Sequence, residues 1–328
     1  MSRILITGGA GYIGSHAVRV LLDKGHQIVV YDNCVNGHKE SVPENAELFV
    51  GDLSDKEKLN QVFKKYKFDA VIHFAAFIEA GESMKEPAIF YRNNVVNTLN
   101  LLETMTANGV KRIVFSSTAA LFGYPDKIPI DEDTKKEPIN VYGMTKLIIE
   151  HMLKDFEMAY GLKYMALRYF NAAGADFGIG EDHHPETHLI PIVLQVALGK
   201  RDKIMIFGTD YDTRDGTCIR DYIHVSDLVD AHILALDKLL TTGQSDQYNL
   251  GSGQGYSVKE IIDAAREVTG HPIPAEEAER RPGDPAVLVA DSAKIKKELG
   301  WQPKHDLKSI ISSAWEWHKS HPDGFKSK

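Results

Sequence analysis

The chain has 328 residues with a formal net charge of −8, and its 43% hydrophobic content is enough for a packed core. A negative balance without a basic block argues against nucleic acid and anionic membranes as partners. No apolar run reaches the ~18 residues of a membrane span, and the two cysteines, Cys34 and Cys218, suit a reducing compartment. Because the first strand-like run begins at Arg3, no room precedes it for a signal peptide, and we expect a soluble cytoplasmic protein.

Short apolar runs alternate with longer amphipathic runs over the first 170 residues. The strands predicted from the apolar runs are 4–7, 27–31, 46–50, 70–74, 112–117 and 163–170. The helices predicted between them are 12–24, 55–66, 84–108 and 142–160. This alternation predicts an α/β fold with a doubly wound, Rossmann-like parallel sheet, and we assign residues 1–170 to that domain.

The pattern changes after about residue 171, where the segment GADFGIGEDHHPETH interrupts the alternation. Further helices are predicted at 189–199, 226–240, 257–269 and 306–319, and short strands at runs such as KIMIF and QYNLG. We therefore expect residues 171–328 to form mainly a second, smaller mixed α/β domain that binds the substrate. Its boundary is approximate, and segments of the two domains are allowed to interleave.

The segment TGGAGYIGS places Gly8, Gly11 and Gly14 between the first predicted strand and the first predicted helix. Glycines there allow a tight turn and a close approach of the backbone to a pyrophosphate, which a helix N-terminus favours. Asp32 ends the next predicted strand, where a carboxylate accepts hydrogen bonds from an adenosine ribose and repels a 2′-phosphate. The pattern predicts NAD rather than NADP, with a structural glycine turn and a capping aspartate as the alternative. Asp52, after the third strand, is placed to reach the adenine or to cap the next helix.

The segment VYGMTK places Tyr142 and Lys146 four residues apart at the start of a predicted helix. Side chains at i and i+4 are neighbours on a helix face. A lysine ammonium beside a phenol stabilises the phenolate, which makes Tyr142 a candidate general base near neutral pH. Because such pairs occur on many helices, this spacing gains weight only from the other motifs.

Three motifs, TGGAGYIGSH, FSSTAALFG and YGMTK, resemble the extended short-chain dehydrogenase/reductase superfamily. That superfamily combines a glycine turn, a Ser or Thr after the fifth strand, and YxxxK. More narrowly, the chain resembles the UDP-glucose 4-epimerase family in stretches such as RYFNAAGA, GEDHHPETHLIP, TDYDTRDGTCIRDYIHV and RPGD. The resemblance implies an isomerase that interconverts UDP-galactose and UDP-glucose through a 4-keto intermediate, with transient hydride transfer to bound NAD.

The resemblance also implies a role for individual residues. Tyr142 would transfer the proton, Lys146 would support it and bind the nicotinamide ribose, and Thr118 would hydrogen-bond the sugar O4. The positions that match cofactor contacts are Gly8, Gly11, Tyr12, Ile13, Gly14, Asp32, Asn33, Asp52, Leu53, Phe74, Asn93, Lys146 and Tyr169. The positions that match substrate contacts are Thr118, Tyr142, Asn171, His188, Leu189, Phe207, Arg220, Tyr222, Arg281, Asp284 and Leu288.

Four positions depart from the pattern of some or most family members. Ile78 stands where some have a lysine near the cofactor, and Phe122 lacks the hydroxyl of the commoner tyrosine. His188 stands where others have an asparagine beside the phosphates, and a histidine still donates a hydrogen bond. Leu288 aligns with a position where a tyrosine in some relatives narrows the hexose pocket. We therefore expect UDP-N-acetylglucosamine and UDP-N-acetylgalactosamine to be interconverted as well.

The segment GEDHHPETH holds three histidines among acidic residues. Its spacing matches no zinc motif, so we expect a solvated substrate-side loop and no metal. Cys218, close to Arg220, is expected to be an inert thiol. The resemblance implies a homodimer whose interface uses the helices predicted at 84–108 and 142–160.

Other functions stay open at this point. A nucleotide-sugar 4,6-dehydratase carries an Asp-Glu pair directly after the hydroxyl residue, whereas this chain has Ala119 and Ala120, which cannot move protons. A net NAD-dependent oxidoreductase is one alternative. An epimerase for UDP-GlcNAc, a UDP-pentose or a UDP-uronic acid is another. A non-catalytic NAD-binding protein is disfavoured because Thr118, Tyr142 and Lys146 are all present.

Overall fold

The architecture is organised around a seven-stranded sheet in a computed structural model that describes residues 1–281 and 283–325. The strands are β1 (Arg3–Thr7), β2 (Gln27–Asp32), β3 (Glu47–Val50), β4 (Ala70–His73), β5 (Arg112–Thr118), β6 (Lys163–Tyr169), β7 (Asn171–Ala173), β8 (Ile204–Phe207), β9 (Ile219–Arg220), β10 (Tyr222–His224), β11 (Asp246–Leu250), β12 (Tyr256–Ser257), β13 (Ala275–Ala278) and β14 (Val287–Leu288). The large sheet has the order β11-β6-β5-β4-β1-β2-β3, and the pairings of β1 with β2 and β4, of β2 with β3 and of β4 with β5 are parallel. The predicted doubly wound sheet is confirmed.

Helices alternate with these strands. They are α1 (Tyr12–Asp23), α2 (Lys56–Lys65), α3 (Ala80–Lys85), α4 (Pro87–Phe90), α5 (Asn97–Ala107), α6 (Val141–Tyr160), α7 (Leu189–Ala197), α8 (Val225–Thr242), α9 (Val258–Thr269), α10 (Ala293–Leu299) and α11 (Leu307–Ser320). A π-helix spans Tyr91–Val96, and short 3₁₀ helices span Lys39–Ser41 and Ala119–Phe122. No helix in the described part of the chain is both long enough and apolar enough to cross a membrane.

The central strands of the large sheet, β1, β2, β4 and β5, form because they are short runs rich in branched aliphatic residues that become buried on both faces, as is typical of parallel sheets. Leu5 of β1, Val71 of β4 and Phe115 of β5 lie in one buried cluster with Leu101 of α5 and Leu153 of α6. Burying a side chain of this size contributes about 1.5–3 kcal/mol relative to exposure. This core holds the strand ends, and the residues that follow them, in fixed positions.

The single helix predicted at 84–108 is wrong, because the structure divides this stretch into α3, α4, the π-helix and α5. Pro87 lies in the first turn of α4, a position that tolerates its missing N–H and fixed φ. The π-helix interrupts the regular helical turn, and such turns are frequent at functional sites. Asn93, one of the predicted cofactor contacts, lies in that π-helix.

The chain divides into two units, each with its own core. The first unit comprises residues 1–123, 135–168 and 229–248, and the second comprises 124–134, 169–228 and 249–328, of which 283–325 and the residues up to 281 are described. The run QYNLG, which we expected in the second domain, forms β11 at the edge of the large sheet beside β6. The second unit contains the two-stranded sheets β10-β7 and β13-β8 and the three-stranded sheet β12-β9-β14, packed with α7, α9 and α11.

Candidate active site

The predicted glycine turn lies where β1 ends, at the point where the strand order of the large sheet reverses. Ligands bind at this position in doubly wound sheets. Gly8 has a φ of +75°, and a Cβ added to it would lie 2.5 Å from the backbone nitrogen of Ala75. A Cβ on Gly14 would lie 2.1 Å from the carbonyl oxygen of Gly8. Gly8 and Gly14 are therefore required for the packing of the turn itself.

Gly11 differs from the other two glycines because a Cβ there would meet only the Gly8 carbonyl oxygen, at 3.3 Å. It is the N-cap residue of α1, and among the described residues no side chain caps this helix end. Tyr12 and Ile13 follow in the first turn and are partly exposed. The uncapped helix N-terminus leaves backbone N–H groups available for an anion, so this end of α1 fits the pyrophosphate of a dinucleotide.

Asp32 lies at the end of β2, beside this turn. Its carboxylate accepts hydrogen bonds from the backbone N–H groups of Ala10, at 2.9 Å, and Cys34, at 2.8 Å. Burial raises the pKa of Asp32, and these two hydrogen bonds oppose the rise. The carboxylate is thus fixed next to the glycine turn, as a ribose ligand would need to be.

Asp52 lies past the end of β3 and is joined to Asn33 and Asn97. The Asn33 side-chain amide donates to its carboxylate at 2.7 Å, and that of Asn97 lies 3.4 Å away. Burial alone would raise the pKa of Asp52, but hydrogen bonds from Ser54 and the two asparagines lower it overall. The helix-capping alternative does not apply, because Asp55 caps α2.

Two further predicted cofactor contacts behave differently. Phe74 directly follows β4 and packs on the His232 ring, with centroids 4.9 Å apart. Its backbone nitrogen donates to the Thr7 carbonyl at 2.9 Å, which places Phe74 next to the glycine turn. Leu53 is buried in the core, where the Asn100 amide donates to its carbonyl at 3.1 Å, so a cofactor contact at this residue would be limited.

The Tyr142 and Lys146 side chains lie on one face of α6, as their spacing predicts. Asn140 caps this helix by accepting a hydrogen bond from the Gly143 N–H at 2.8 Å. The Lys146 Nζ lies 5.9 Å from the Tyr142 ring centroid and donates to the Ser116 carbonyl at 2.9 Å. Burial lowers the pKa of Lys146 to about 7, so its ammonium and its neutral amine both exist near neutral pH.

Thr118 ends β5 and caps the 3₁₀ helix Ala119–Phe122, since its hydroxyl accepts a hydrogen bond from the Ala120 N–H at 3.1 Å. A Cβ on Gly143 would lie only 2.5 Å from the Ala120 carbonyl oxygen. The glycine between Tyr142 and Lys146 therefore lets α6 pack closely against the segment that follows Thr118. Phe122, which replaces the commoner tyrosine, is buried, and its ring packs there without a hydroxyl group.

Sequence reasoning missed Ser83, whose hydroxyl accepts a hydrogen bond from the Tyr142 backbone N–H at 3.1 Å. The same hydroxyl donates to the Ala80 carbonyl at 2.6 Å, which ties α3 to the start of α6. Ser83 lies in AGES, one of the matching stretches, but 59 residues separate it from Tyr142. Local spacing holds no signal for such a contact.

In the second unit the structure brings Arg220, Asp284 and Leu288 together. The guanidinium of Arg220 forms an ion pair with the Asp284 carboxylate. Leu288 of β14 is the register partner of Arg220 of β9, so both side chains project from the same face of the three-stranded sheet. Cys218 lies 3.6 Å from Asp284, and burial raises the pKa of its thiol, in line with the expected inert role.

The other predicted substrate contacts form smaller groups in this unit. The Arg281 guanidinium lies 4.0 Å from the centre of the Phe207 ring. Asn171 of β7 and Tyr222 of β10 are register partners in a parallel pair, so they share a face. Tyr169, a predicted cofactor contact rather than a substrate contact, ends β6 and is partly buried. Arginines held by aromatic rings and carboxylates are suited to phosphate binding.

The segment 180–188 is more buried than the expected solvated loop, and it folds back on itself. The Nδ1 atom of His188 lies 2.9 Å from Glu181 and 3.0 Å from Glu186. Burial disfavours protonation of His188, but the charge of Glu181 and the hydrogen bonds that the protonated ring donates to both carboxylates outweigh it and raise the pKa of His188 well above its ordinary value. His188 is the N-cap of α7, which begins at the predicted substrate contact Leu189.

A doubly wound sheet with a glycine turn, an acidic residue after β2 and a Thr-Tyr-Lys set at the carboxyl ends of the strands defines an extended short-chain dehydrogenase/reductase. The family model described as GDP-mannose 4,6 dehydratase matches residues 5–314. The UDP-glucose 4-epimerase of Halalkalibacterium halodurans is 55% identical over 327 residues, covering 99% of this chain and 98% of that protein.

Two solved structures show the same likeness over the full fold. The UDP-glucose 4-epimerase from Brucella ovis in complex with NAD has 46% identity and a TM-score of 0.93, covering 96% of this chain and 98% of that one. The UDP-Glc/GlcNAc 4-epimerase from Campylobacter jejuni has 47% identity and a TM-score of 0.86, covering 98% of this chain and 100% of that one. The chain belongs to the extended short-chain dehydrogenase/reductases, the family that the matching model represents. Within that family it belongs to the UDP-glucose 4-epimerases.

Proposed function

We propose that this chain interconverts UDP-galactose and UDP-glucose by inverting C4 of the hexose through a 4-keto sugar, with NAD as a recycled cofactor. The observation that carries the proposal is the set of Thr118, Tyr142 and Lys146 at the carboxyl end of the sheet, the same edge as the glycine turn. The Brucella relative binds NAD, and the placement of Asp32 beside Gly8 fits that cofactor.

The residues of the first unit would carry the proton chemistry. The Tyr142 side chain, as a phenolate, takes the proton of the sugar O4 and later returns it. The Lys146 ammonium stabilises that phenolate electrostatically, and Thr118 orients O4 through its hydroxyl. NAD, when bound, supplies the hydride acceptor that the C4–H bond requires. The amides at the start of α1 would hold its pyrophosphate, and the carboxylates of Asp32 and Asp52 would hold its adenosine end.

The residues of the second unit would hold the UDP moiety. Arg220 and Arg281 are suited to the diphosphate, since a guanidinium pairs with phosphate in a two-pronged geometry. Inversion requires the keto sugar to present both faces to the cofactor. Firm binding of UDP and loose binding of the hexose meet that need, because only the nucleotide then stays fixed.

The dehydratase alternative conflicts with the site, although the matching family model carries a dehydratase description. Elimination of water from C5 and C6 requires a proton acceptor and a proton donor near the hexose. The residues after Thr118 are Ala119 and Ala120, whose methyl groups serve neither role. Epimerisation needs only the one proton carrier that Tyr142 provides.

The test is to incubate the purified chain with UDP-galactose and no added NAD, while following UDP-glucose and the NADH absorbance band. We expect UDP-glucose to form without net NADH, because the hydride returns within each cycle. Accumulation of NADH would contradict the proposal and indicate a net oxidoreductase. If UDP-galactose does not react, with or without added NAD, the assignment moves to another UDP-sugar.

We further propose that UDP-N-acetylglucosamine and UDP-N-acetylgalactosamine are substrates. Leu288 projects from the same face as Arg220, a proposed phosphate ligand, which supports a position for Leu288 near the nucleotide sugar. A leucine is smaller than the tyrosine found there in some relatives, so it leaves room for an acetamido group. The Campylobacter relative, at 47% identity, is named for both UDP-Glc and UDP-GlcNAc.

Leu288→Tyr should abolish the reaction of the N-acetylated sugars and spare that of UDP-galactose, because the phenol ring fills the acetamido space. The measurement is the ratio of kcat/KM for UDP-N-acetylgalactosamine to that for UDP-galactose, which we expect to fall by about 100-fold, the effect of an overfilled pocket. Leu288→Met, of similar volume, is the control and should keep the ratio. Equal losses on both substrates would refute this account of the pocket.

We also infer a homodimer and a cytoplasmic location. Met84 of α3, Ile89 of α4 and Val96 of the π-helix are exposed, as are Met158 and Tyr160 at the end of α6. The two segments pack together in the first unit, so these apolar groups belong to one helical layer. Exposed apolar patches of this kind are typical of protein interfaces.

The cytoplasmic location is supported by the two cysteines, whose free thiols agree with a reducing compartment.

A further inference from the structure

Four side chains of the segment 181–188 bring their donor atoms to one place. Glu181, His183, Glu186 and His188 each offer one ligand atom, and these atoms all lie within 4.8 Å of one another. The Nδ1 atom of His183 lies 3.2 Å from Glu181 and 3.9 Å from Glu186, and that of His188 lies 2.9 Å and 3.0 Å from the same two residues. Both imidazoles therefore direct Nδ1 at the same pair of carboxylates.

These separations fit the edges of a metal tetrahedron. Zn²⁺ binds histidine nitrogen and carboxylate oxygen at about 2.0–2.2 Å, which puts neighbouring donors roughly 3.3–3.6 Å apart in tetrahedral geometry. The observed nitrogen–oxygen distances of 2.9, 3.0, 3.2 and 3.9 Å bracket that range. All four donor atoms lie within 4.8 Å of one another, so changes of up to about 1 Å in their separations would place an ion at bonding distance from all four groups.

One donor atom in this cluster is buried without a hydrogen bond. Among the described residues, no hydrogen bond of normal geometry reaches the His183 Nδ1 atom, although Glu181 is 3.2 Å away. Burial of an unsatisfied ring nitrogen is destabilising, and a bound cation would remove that cost. The two glutamate side chains are only 6% and 4% exposed, and a divalent ion would neutralise their combined charge.

The hydrogen bonds that hold the side chains of the cluster in place also resemble those around a metal site. The Glu186 carboxylate accepts hydrogen bonds from the backbone N–H groups of Thr187 and His188, both at 2.8 Å. Metal-binding carboxylates are usually fixed in this way. The cluster borders a cavity of about 250 Å³ that Gln195, Lys200 and Trp317 also line, which gives an ion a path of entry.

We propose that Glu181, His183, Glu186 and His188 bind one divalent transition-metal ion, Zn²⁺, as a structural site of the second unit. Two imidazoles and two carboxylates make a closed four-ligand set, which leaves no open position for substrate. The ion fixes the segment immediately before α7, where the proposed substrate contact Leu189 lies. The expectation of no metal, drawn from the linear spacing, is replaced by this proposal because the ligands meet through a fold that spacing does not show.

The first test is metal content and uptake by the full chain. Protein purified without chelators should hold about one Zn²⁺ per chain by elemental analysis. After removal of the ion by a chelator, Co²⁺ should bind in the same ratio, give the strong visible absorption of four-coordinate cobalt, and be displaced by one equivalent of Zn²⁺. Failure to retain Zn²⁺ combined with no cobalt spectrum would overturn the proposal.

The second test uses His183→Gln, with His184→Gln as the matched control. His183 belongs to the cluster, whereas His184 is its neighbour in sequence with an 80% exposed side chain. Titration calorimetry should show Zn²⁺ affinity at least about 100-fold weaker for His183→Gln, beyond the 10–100-fold loss typical of an outer contact, and unchanged for His184→Gln. Chelation should lower the Tm of the wild type and the control but not that of His183→Gln. Equal Zn²⁺ affinity in all three proteins would mean an adventitious ion only.

Discussion

Tyr142→Phe is expected to lower kcat for UDP-galactose by about 10²–10⁴-fold, the usual contribution of a positioned acid–base group, while NAD binding is kept. The substitution removes only the hydroxyl that carries the O4 proton. The ring stays in place, and the hydrogen bond from the residue 142 backbone N–H to the Ser83 hydroxyl is unaffected. The measurements are the steady-state rate and the amount of NAD per chain after denaturation and filtration.

Tyr160→Phe provides the control for this substitution. Tyr160 ends the same helix, α6, and its side chain is exposed. The control should keep both the rate and the NAD content of the wild type. Loss of NAD in Tyr142→Phe, in parallel with the loss of rate, would show that the hydroxyl supports the cofactor site and would refute the proton-carrier role.

Lys146→Met is expected to abolish most turnover and yet raise the free energy of unfolding at pH 7. The pKa of Lys146 falls from 10.5 to about 7 because the side chain is buried. Below pH 7 the folded chain must hold a buried ammonium, and between pH 7 and about 10.5 the unfolded chain binds more protons than the folded one. Stability therefore rises with pH across this window. The penalty at pH 7 is on the order of 4 kcal/mol, and methionine removes it.

Part of this gain is offset because the Ser116 carbonyl, which accepts the Lys146 hydrogen bond, loses its donor at a cost of about 1–3 kcal/mol. Urea unfolding without NAD at pH 7 and pH 10 measures the balance. The advantage of the variant should shrink at pH 10. Lys154→Met, at an exposed position of the same helix, should change little at either pH. A variant less stable than the wild type at pH 7 would show that the ammonium is well compensated in the fold.

The strands of the first unit could be predicted closely from the sequence. All six predicted runs in the first 170 residues agree with β1–β6 to within one residue at each end. In an α/β chain, a short aliphatic run bounded by glycines and charged residues usually forms a buried strand of the parallel sheet. The division of residues 84–108 could not be predicted, because a π-helix depends on tertiary contacts that a hydrophobic pattern does not record.

The residues of the candidate site likewise divide into those that the sequence predicts and those that it does not. The glycine turn, Asp32 and the Tyr142–Lys146 pair follow from local spacing in a strand–turn–helix context. The Arg220–Asp284 ion pair and the Tyr142–Ser83 hydrogen bond join residues 64 and 59 positions apart, and no local pattern marks them. The 181–188 cluster is a third case, because consecutive residues there meet through a reversal of the chain rather than through helical or strand periodicity.

The position of β11 has a consequence for the synthesis of the chain. This strand pairs with β6 at the edge of the large sheet, yet it lies about 80 residues further along the sequence. A nascent chain that has reached only residue 170 exposes the unpaired edge of β6, and an unpaired strand edge invites association with other chains. At about 5–20 residues per second, the ribosome needs several seconds to deliver the missing strand. The first unit is therefore completed late in translation, and a fragment cut at residue 170 would keep the open edge permanently.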